Sequence, residues 1–292
     1  MHMVKEIRKP TSEEMQESHD SFMRYLRGNP NNFSYWFPRV RGLDGHGISI
    51  PKSIVIPVPE EVYKSFFHER EGDEGRIESW VTDAVKPAIE AAPFPKGGRL
   101  FIKNGCYSRK FDFANGSLIE DAGDEESLII NICNIQSDAV MKETDGYLEL
   151  VVKEFIEPSK ADTPTIYNGM PLRPEIRLFY DFDSHTPLYD VNYWDWNHCH
   201  RRICLDARGE RTADADTYEK AWPYLLFKTR QLAARHMQAI VTALSSVTGL
   251  RMPDGQPNIW SVDFILEEDR AWLIDMGQGW RSAYWNADRA GL

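Results

Sequence analysis

Residues 261–279, SVDFILEEDRAWLIDMGQG, alternate apolar and polar positions around an acidic tip: Val262, Phe264 and Leu266 share one face, 267–269 are all acidic, and Trp272, Leu273 and Ile274 resume the apolar run. The pattern predicts two short strands joined by a turn. Strand patterns also mark 48–58, with Pro51 and Pro57 at its ends or on an edge, then 99–103 (RLFIK), 147–156 (YLELVVKEFI) and 174–183 (PEIRLFYDFD), the last paired with 188–196 as a hairpin. Helical spacing covers 12–27, capped by Thr11 or Ser12 and stopped at 28–30; 59–68, opened by Pro59 and two acids; and 77–92, bent or restarted at Pro87. It covers 124–141 through Leu128, Ile129, Ile132, Cys133 and Ile135, and finally 216–247, read as a short helix followed by a longer one from Pro223. Residues 69–76 are a polar link, 93–98 a turn-rich connector and first candidate boundary, 159–173 a polar loop long enough to be a lid, and 201–215 charged and loop-like. The aromatic run 33–38 (FSYWFP) reads as core packing of an N-terminal lobe.

Composition narrows the class of partner. With 292 residues, 42% hydrophobic, the chain can bury a substantial core, and a net charge of −11 argues against broad attraction to nucleic acid or an anionic membrane. No apolar run approaches the ~20 residues of a membrane span, and the N-terminus lacks a signal-peptide core, so the expected location is cytoplasmic. Four cysteines, Cys106, Cys133, Cys199 and Cys204, form no CxxC pair and no disulfide framework. The group His198, Cys199, His200 and Cys204 reads as a polar strand end with a buried thiol rather than a zinc site, and His236 as a packed core histidine.

Candidate chemistry begins with Asp263 and Asp275, one in each strand of the C-terminal hairpin. Antiparallel neighbours lie about 4.8 Å apart, so two aspartates held there among apolar residues would repel and call for a divalent cation, with magnesium and nucleotide phosphates the natural choice. A solvated hairpin with two surface acids is the alternative. Lys103 ends a strand and precedes the polar loop 104–110, a combination of point charge and backbone donors that suits a phosphate, although neither a Walker nor a GxGxxG pattern is present. Glu175 and Arg177 alternate with Ile176 and Leu178 and so share a strand face, as an ion pair or as a pocket wall.

The order of these parts resembles the ATP-grasp superfamily, most closely the cell-division-cycle branch whose eukaryotic members assist assembly of translation initiation factor 2. Segments 33–38 with 51–67, FIKNGCYSRKFDF (101–113), LVVKEFI (150–156), PEIRLFY (174–180) and VDFILEEDRAWLIDMG (262–277) carry the likeness. It implies an α+β fold with two α+β lobes closing on ATP between antiparallel sheets: an N-terminal lobe at 1–98, a small lobe at 99–156 and a large lobe with the metal hairpin at 157–292. By the same resemblance Lys103 and Lys110 hold ATP phosphates, the backbone of Glu154, Phe155 and Ile156 meets the adenine edge, and Glu157 or Glu175 takes the ribose. The resemblance further implies that Arg177 is the catalytic residue at the γ-phosphate and that Asp263 and Asp275 bind Mg2+. The family ends its metal strand with an acid, a spacer and an asparagine, whereas Gly277 follows Asp275 and Met276 here, leaving Gln278 or water to substitute. The implied activity is an ADP-releasing ligase that activates a carboxylate as an acyl phosphate for attack by an amine. The alternatives are a nucleotide-dependent assembly factor with a protein partner, or a phosphotransferase. Arg281 reads either as a group for an acceptor carboxylate or as a surface arginine.

Overall fold

The computed structural model describes residues 11–66, 75–142, 144, 145, 148–253 and 255–291. In chain order these form α1 (Ser12–Gly28), α2 (Phe33–Val40), β1 (Ser53–Pro57), α3 (Glu60–Ser65), α4 (Arg76–Trp80), α5 (Lys86–Ala91), β2 (Leu100–Asn104) and β3 (Leu118–Ile119). There follow α6 (Glu125–Met141), β4 (Glu149–Glu154), β5 (Thr165–Ile166), β6 (Met170–Pro171), β7 (Glu175–Asp181), β8 (Thr186–Asn192), α7 (Trp196–Cys204) and α8 (Ala215–Ser245), and then β9 (Ile259–Leu266), β10 (Ala271–Gln278) and α9 (Ala287–Ala290). The architecture is α+β, with two four-stranded antiparallel sheets of order β1-β4-β2-β3 and β10-β9-β7-β8 and a two-stranded β5-β6 ribbon. Residues 1–10, the end of the helix expected at 59–68, most of the link 69–76 and Tyr147 lie outside the described residues.

Local chemistry accounts for several element ends. Thr11 and Glu14 close a reciprocal capping box at the start of α1, and Asp124 caps α6 by accepting from the Ser127 N–H. The bend expected near Pro87 appears as a π-turn, Val81–Val85, between α4 and α5; proline has no N–H to continue the ladder, and the widened turn makes room for its ring. Pro223 does not divide α8, which runs unbroken for 31 residues. Packing on either side of the proline holds the helix together: Tyr218 and Leu225 join one apolar cluster, Leu232, Ile240 and Leu244 another. Residues 196–204 are a helix rather than the strand end and loop expected, because Asp195 caps the His198 N–H and Cys199, Ile203 and Cys204 turn inward.

Strand alternation places one face of each sheet in a core and the other towards its neighbour. Leu100, Ile102, Leu150 and Val152 face the cluster built with α1, α3 to α6, while Val262, Phe264, Leu178 and Leu273 pack against the C-terminal half of α8. The aromatic run in α2 belongs to this second core, where Phe33 and Trp36 are fully buried, and not to an N-terminal lobe. The stretch 48–58 splits at Pro51: Ser49 donates to Ala271 O at 2.8 Å and accepts from Leu273 N at 2.9 Å on the edge of β10, whereas β1 pairs with β4 in the other sheet. Residues ahead of position 98 are thus shared between both sheets, and the lobe boundaries at 98 and 156 stay a proposal. Among the described residues no helix is long and apolar enough to cross a membrane.

Candidate functional site

Register sets the chemistry of the cleft between the sheets. Asp263 of β9 lies directly opposite Asp275 of β10 on one side and Arg177 of β7 on the other, so all three side chains leave the same sheet face. A β-bulge between Leu273 and Asp275 makes this possible by adding Ile274 to one strand and turning Asp275 onto the Asp263 face. Glu175, two residues before Arg177, shares that face. Opposite it, β2 presents Phe101 and Lys103, β4 presents Lys153, and Phe155 follows just past the end of β4.

Each aspartate already has a cation. Arg177 donates two bonds to Asp263, Nε to Oδ1 and Nη2 to Oδ2, both at 2.7 Å, and Lys103 bridges the two sheets to Asp275 at 2.8 and 3.0 Å. The repulsion expected between the two carboxylates is therefore relieved by side chains of the protein itself. Burial pushes the Asp275 carboxyl up, but Lys103 and Lys153 outweigh it and hold the group below its usual range. Burial works against the Arg177 guanidinium, and Asp263 overcomes it to hold the charge more firmly than usual.

Lys153 is a cleft residue that the reading of single positions missed. It sits in β4 between Val152 and Glu154, where alternation alone resembles a solvated lysine, yet it is 5% exposed and its Nζ donates to the Ile274 carbonyl across the cleft. Burial pulls its pKa down to about 7, with Lys103 adding to the effect and Asp275 opposing it. Lys110 sits 4.0 Å over the Tyr193 ring and donates to the Tyr193 hydroxyl. Glu175 is 5% exposed, and burial lifts its carboxyl to about 7 despite Lys110, Arg173 and Arg177, with Asp263 adding to the rise.

At the other end of the cleft lies a hydrogen-bonding edge. The Glu154 and Phe155 N–H groups donate to Lys52 O and Arg99 O, and the Ile156 carbonyl accepts from Arg173 at 2.6 Å. The Lys52 N–H, which would continue the ladder to the Glu154 carbonyl, goes instead to the Glu154 carboxylate at 2.8 Å. This leaves the Glu154 C=O and the Ile156 N–H without a partner among the described residues, an acceptor and a donor two residues apart beside Phe155. The Phe155 N–H is spent on Arg99 O, and the Phe155 ring, packed on Phe113 at 5.9 Å, lines the cavity.

Lys103, Lys110, Glu175, Arg177, Asp263 and Asp275 thus converge on one cavity with the 154–156 backbone, whereas Glu157 does not. It is more than half exposed and held by Arg99, whose Nε lies 2.9 Å from Oε1. Gln278 also points away: its side chain bonds Asn31 at 3.0 Å and Met252 Sδ at 3.7 Å. Asn31 takes the place beside Gly277, where a Cβ would come within 3.3 Å of the Asn31 Oδ1. Nothing local marks Asn31, since its partner lies 247 positions away. Cys106 lines the cavity too, but burial drives its thiol well above the usual range and away from nucleophilic use.

Outside the cleft, His200, Cys204 and Glu219 bring three ligand atoms within 4.8 Å of one another. The Glu219 carboxylate is already held by Arg211 at 3.0 and 3.1 Å and by His200 at 3.0 Å, so an ion-pair network accounts for the group without a cation.

No family model matches the chain, and no curated protein matches it. Among solved structures it is similar to Cdc123 from Schizosaccharomyces pombe, at 20% identity over 85% of this chain and 82% of that one with a TM-score of 0.43. A C-terminally truncated form of the same protein gives 17% identity, 85% and 82% coverage, and a TM-score of 0.42. D-alanine–D-alanine ligase from Bacillus anthracis complexed with ATP gives 11% identity over 90% of this chain and 61% of that chain, with a TM-score of 0.34. The first two belong to the branch that the motif order resembles; at these scores the likeness adds nothing to what the residues of the cleft imply.

Proposed function

We propose that the cleft binds Mg-ATP and that the protein is an ATP-grasp-type ligase, activating a carboxylate as an acyl phosphate for attack by an amine. One observation carries this reading: a single cavity has a C=O and an N–H unpaired among the described residues at one end and four basic side chains, Lys103, Lys110, Lys153 and Arg177, facing two aspartates at the other. Adenine offers the complementary edge, a donating exocyclic amine beside a ring nitrogen that accepts, and Glu154 and Ile156 would pair with it. Glu175 would meet the ribose. Lys103, Lys153 and Lys110 supply point charges for phosphate oxygens, and the planar Arg177 fork would sit where negative charge builds during transfer.

Asp263 and Asp275 would hold magnesium. Both are hard oxygen donors on one face of a rigid hairpin, in direct register, and so fit the ion. Bound there, the ion would neutralise phosphate charge. Phosphates entering the cleft would compete with Asp275 for Lys103, freeing that carboxylate for the cation. A second reading, a nucleotide-dependent assembly factor without turnover, draws on the bidentate hold of Arg177 on Asp263, which must loosen before the aspartate can serve a metal. Phosphotransfer to a hydroxyl would use the same groups. Measuring ADP release alongside calorimetric ATP binding separates these readings: binding with metabolite-stimulated release is the ligase outcome, and binding without release under any condition would overturn it.

A further inference from the structure

A second cavity, of about 440 Å3, adjoins the first and shares Lys103, Arg177, Asp263 and Asp275 with it, but neither Glu154 nor Ile156. It therefore opens off the charged end of the cleft, away from the unpaired backbone edge. Its other walls mix polar groups, among them Asn31, Asp145, Ser261, Ser282 and Arg281, with the apolar Met276 and Ala283. Three cations line it, and two are closed in tight ion pairs, Lys103 with Asp275 and Arg177 with Asp263. Arg281 is different. Its side-chain hydrogen bonds among the described residues are from Nη1, at 3.4 Å, to Tyr25 Oη and to Asp145 Oδ2, which leaves most of its donors open.

Asp145 beside it is held firmly by one oxygen. Oδ2 accepts from Tyr25 Oη at 2.9 Å and Asn29 Nδ2 at 2.8 Å, and Oδ1 has no partner among the described residues. An open guanidinium next to a fixed carboxylate with a free oxygen matches the carboxylate and ammonium of an amino acid. The placement is rigid on the Arg281 side: the turn Gly279–Arg281 follows β10 directly, and Gly279 packs so closely on β9 that a Cβ would meet Ile259 O at 3.0 Å.

We propose that this second cavity is the acceptor site and takes a small amino acid with a second carboxylate, its α-carboxylate on Arg281, its α-ammonium on Asp145 and its far carboxylate towards Lys103 and Arg177. The proposal rests on the nucleotide reading above. An oxygen of the far carboxylate attacks the γ-phosphorus of ATP and the new O–P bond forms. The bond from that phosphorus to the β,γ-bridging oxygen breaks, and ADP leaves with the electron pair. The acyl phosphate then accepts an amine at its carbonyl carbon, releasing phosphate while the ammonium formed gives up a proton. Arg281 and Asp145 are positioning residues and take no part in bond making.

The test incubates the protein with Mg-ATP, hydroxylamine as the trapping amine, and aspartate, glutamate, glutarate or 4-aminobutyrate, and measures hydroxamate and ADP. Aspartate or glutamate should yield both products, while glutarate, lacking the ammonium, and 4-aminobutyrate, lacking the α-carboxylate, should yield little. Arg281→Ala should raise the KM for the amino acid at least tenfold with the ATP dissociation constant unchanged, and Arg281→Lys should recover part of the loss. Asp145→Asn should erase the preference for glutamate over glutarate. If ATP binds by calorimetry but neither amino acid gives hydroxamate, or Arg281→Ala leaves the KM unmoved, the acceptor assignment is wrong and the nucleotide reading stands. If ATP does not bind, both fall.

Discussion

Filling the cleft with phosphate should draw a proton from solution. Lys153 is 5% exposed, its charge disfavoured by burial and by Lys103, and its pKa lies at about 7. At pH 8 such an amine is about nine-tenths neutral. A phosphate oxygen beside Nζ favours the charged form, and returning the group from about 7 to its ordinary 10.5 corresponds to about 5 kcal/mol at roughly 1.4 kcal/mol per pKa unit. Binding at pH 8 is therefore expected to take up close to one proton. Calorimetric titration of ATP in buffers of differing ionisation enthalpy measures this as the slope of observed enthalpy against buffer enthalpy. The slope should collapse in Lys153→Met and persist in Glu175→Gln, which controls for the other group displaced to about 7. A wild-type protein that binds ATP at pH 8 with buffer-independent enthalpy would refute the placement of Lys153 against phosphate.

The same two groups shape stability against pH. Between about 7 and 10.5 the unfolded chain holds a proton on Lys153 that the fold does not, so stability should rise with pH across that window. Between 4.5 and about 7 the fold holds a proton on Glu175 that the unfolded chain has lost, so stability should fall as pH rises. Tm should pass through a minimum near neutrality, with Lys153→Met flattening the upper arm and Glu175→Gln the lower; flat profiles in the wild type would contradict this. Arg177→Ala strands Asp263, whose side chain is 8% exposed, and should cost about 3–5 kcal/mol in urea unfolding, a loss under about 1 kcal/mol being the contrary result. Gly105→Ala should cost about 1–3 kcal/mol by the same measurement, because its Cβ would run into Glu149 Oε1 and meet Cγ at 2.8 Å; an unchanged midpoint would mean that the Glu149 side chain moves aside freely.

What the sequence disclosed depended on how local the cause was. The C-terminal hairpin was legible from alternation around the acidic tip, and Arg177 with Glu175 from their shared strand face. The bulge at Ile274 was not, because counting in twos from the tip sets Ile274, not Asp275, opposite Asp263, and no residue type marks the extra position. Helix α7 escaped notice because its inner face, Trp196, Cys199, Ile203 and Cys204, spans only nine residues among polar and charged neighbours, and its start is written only in the Asp195 cap. Lys153 and Asn31 take their meaning from partners 121 and 247 positions away, and Glu157, one of the two ribose candidates, is paired with Arg99, 58 positions away. Such long-range pairings are decided by which distant segments the fold brings together, and short patterns do not carry them.

The central claim is that one end of the cleft reads adenine and the other holds phosphate. Calorimetric titration of ATP and of adenosine, with and without magnesium, into the wild type, Lys103→Ala and Asp275→Ala tests it most directly. ATP should bind in the wild type with affinity strengthened by magnesium, Asp275→Ala should lose that strengthening, and Lys103→Ala should weaken ATP far more than adenosine. Equal loss of ATP and adenosine in Lys103→Ala, or no binding of either to the wild type, would contradict the account.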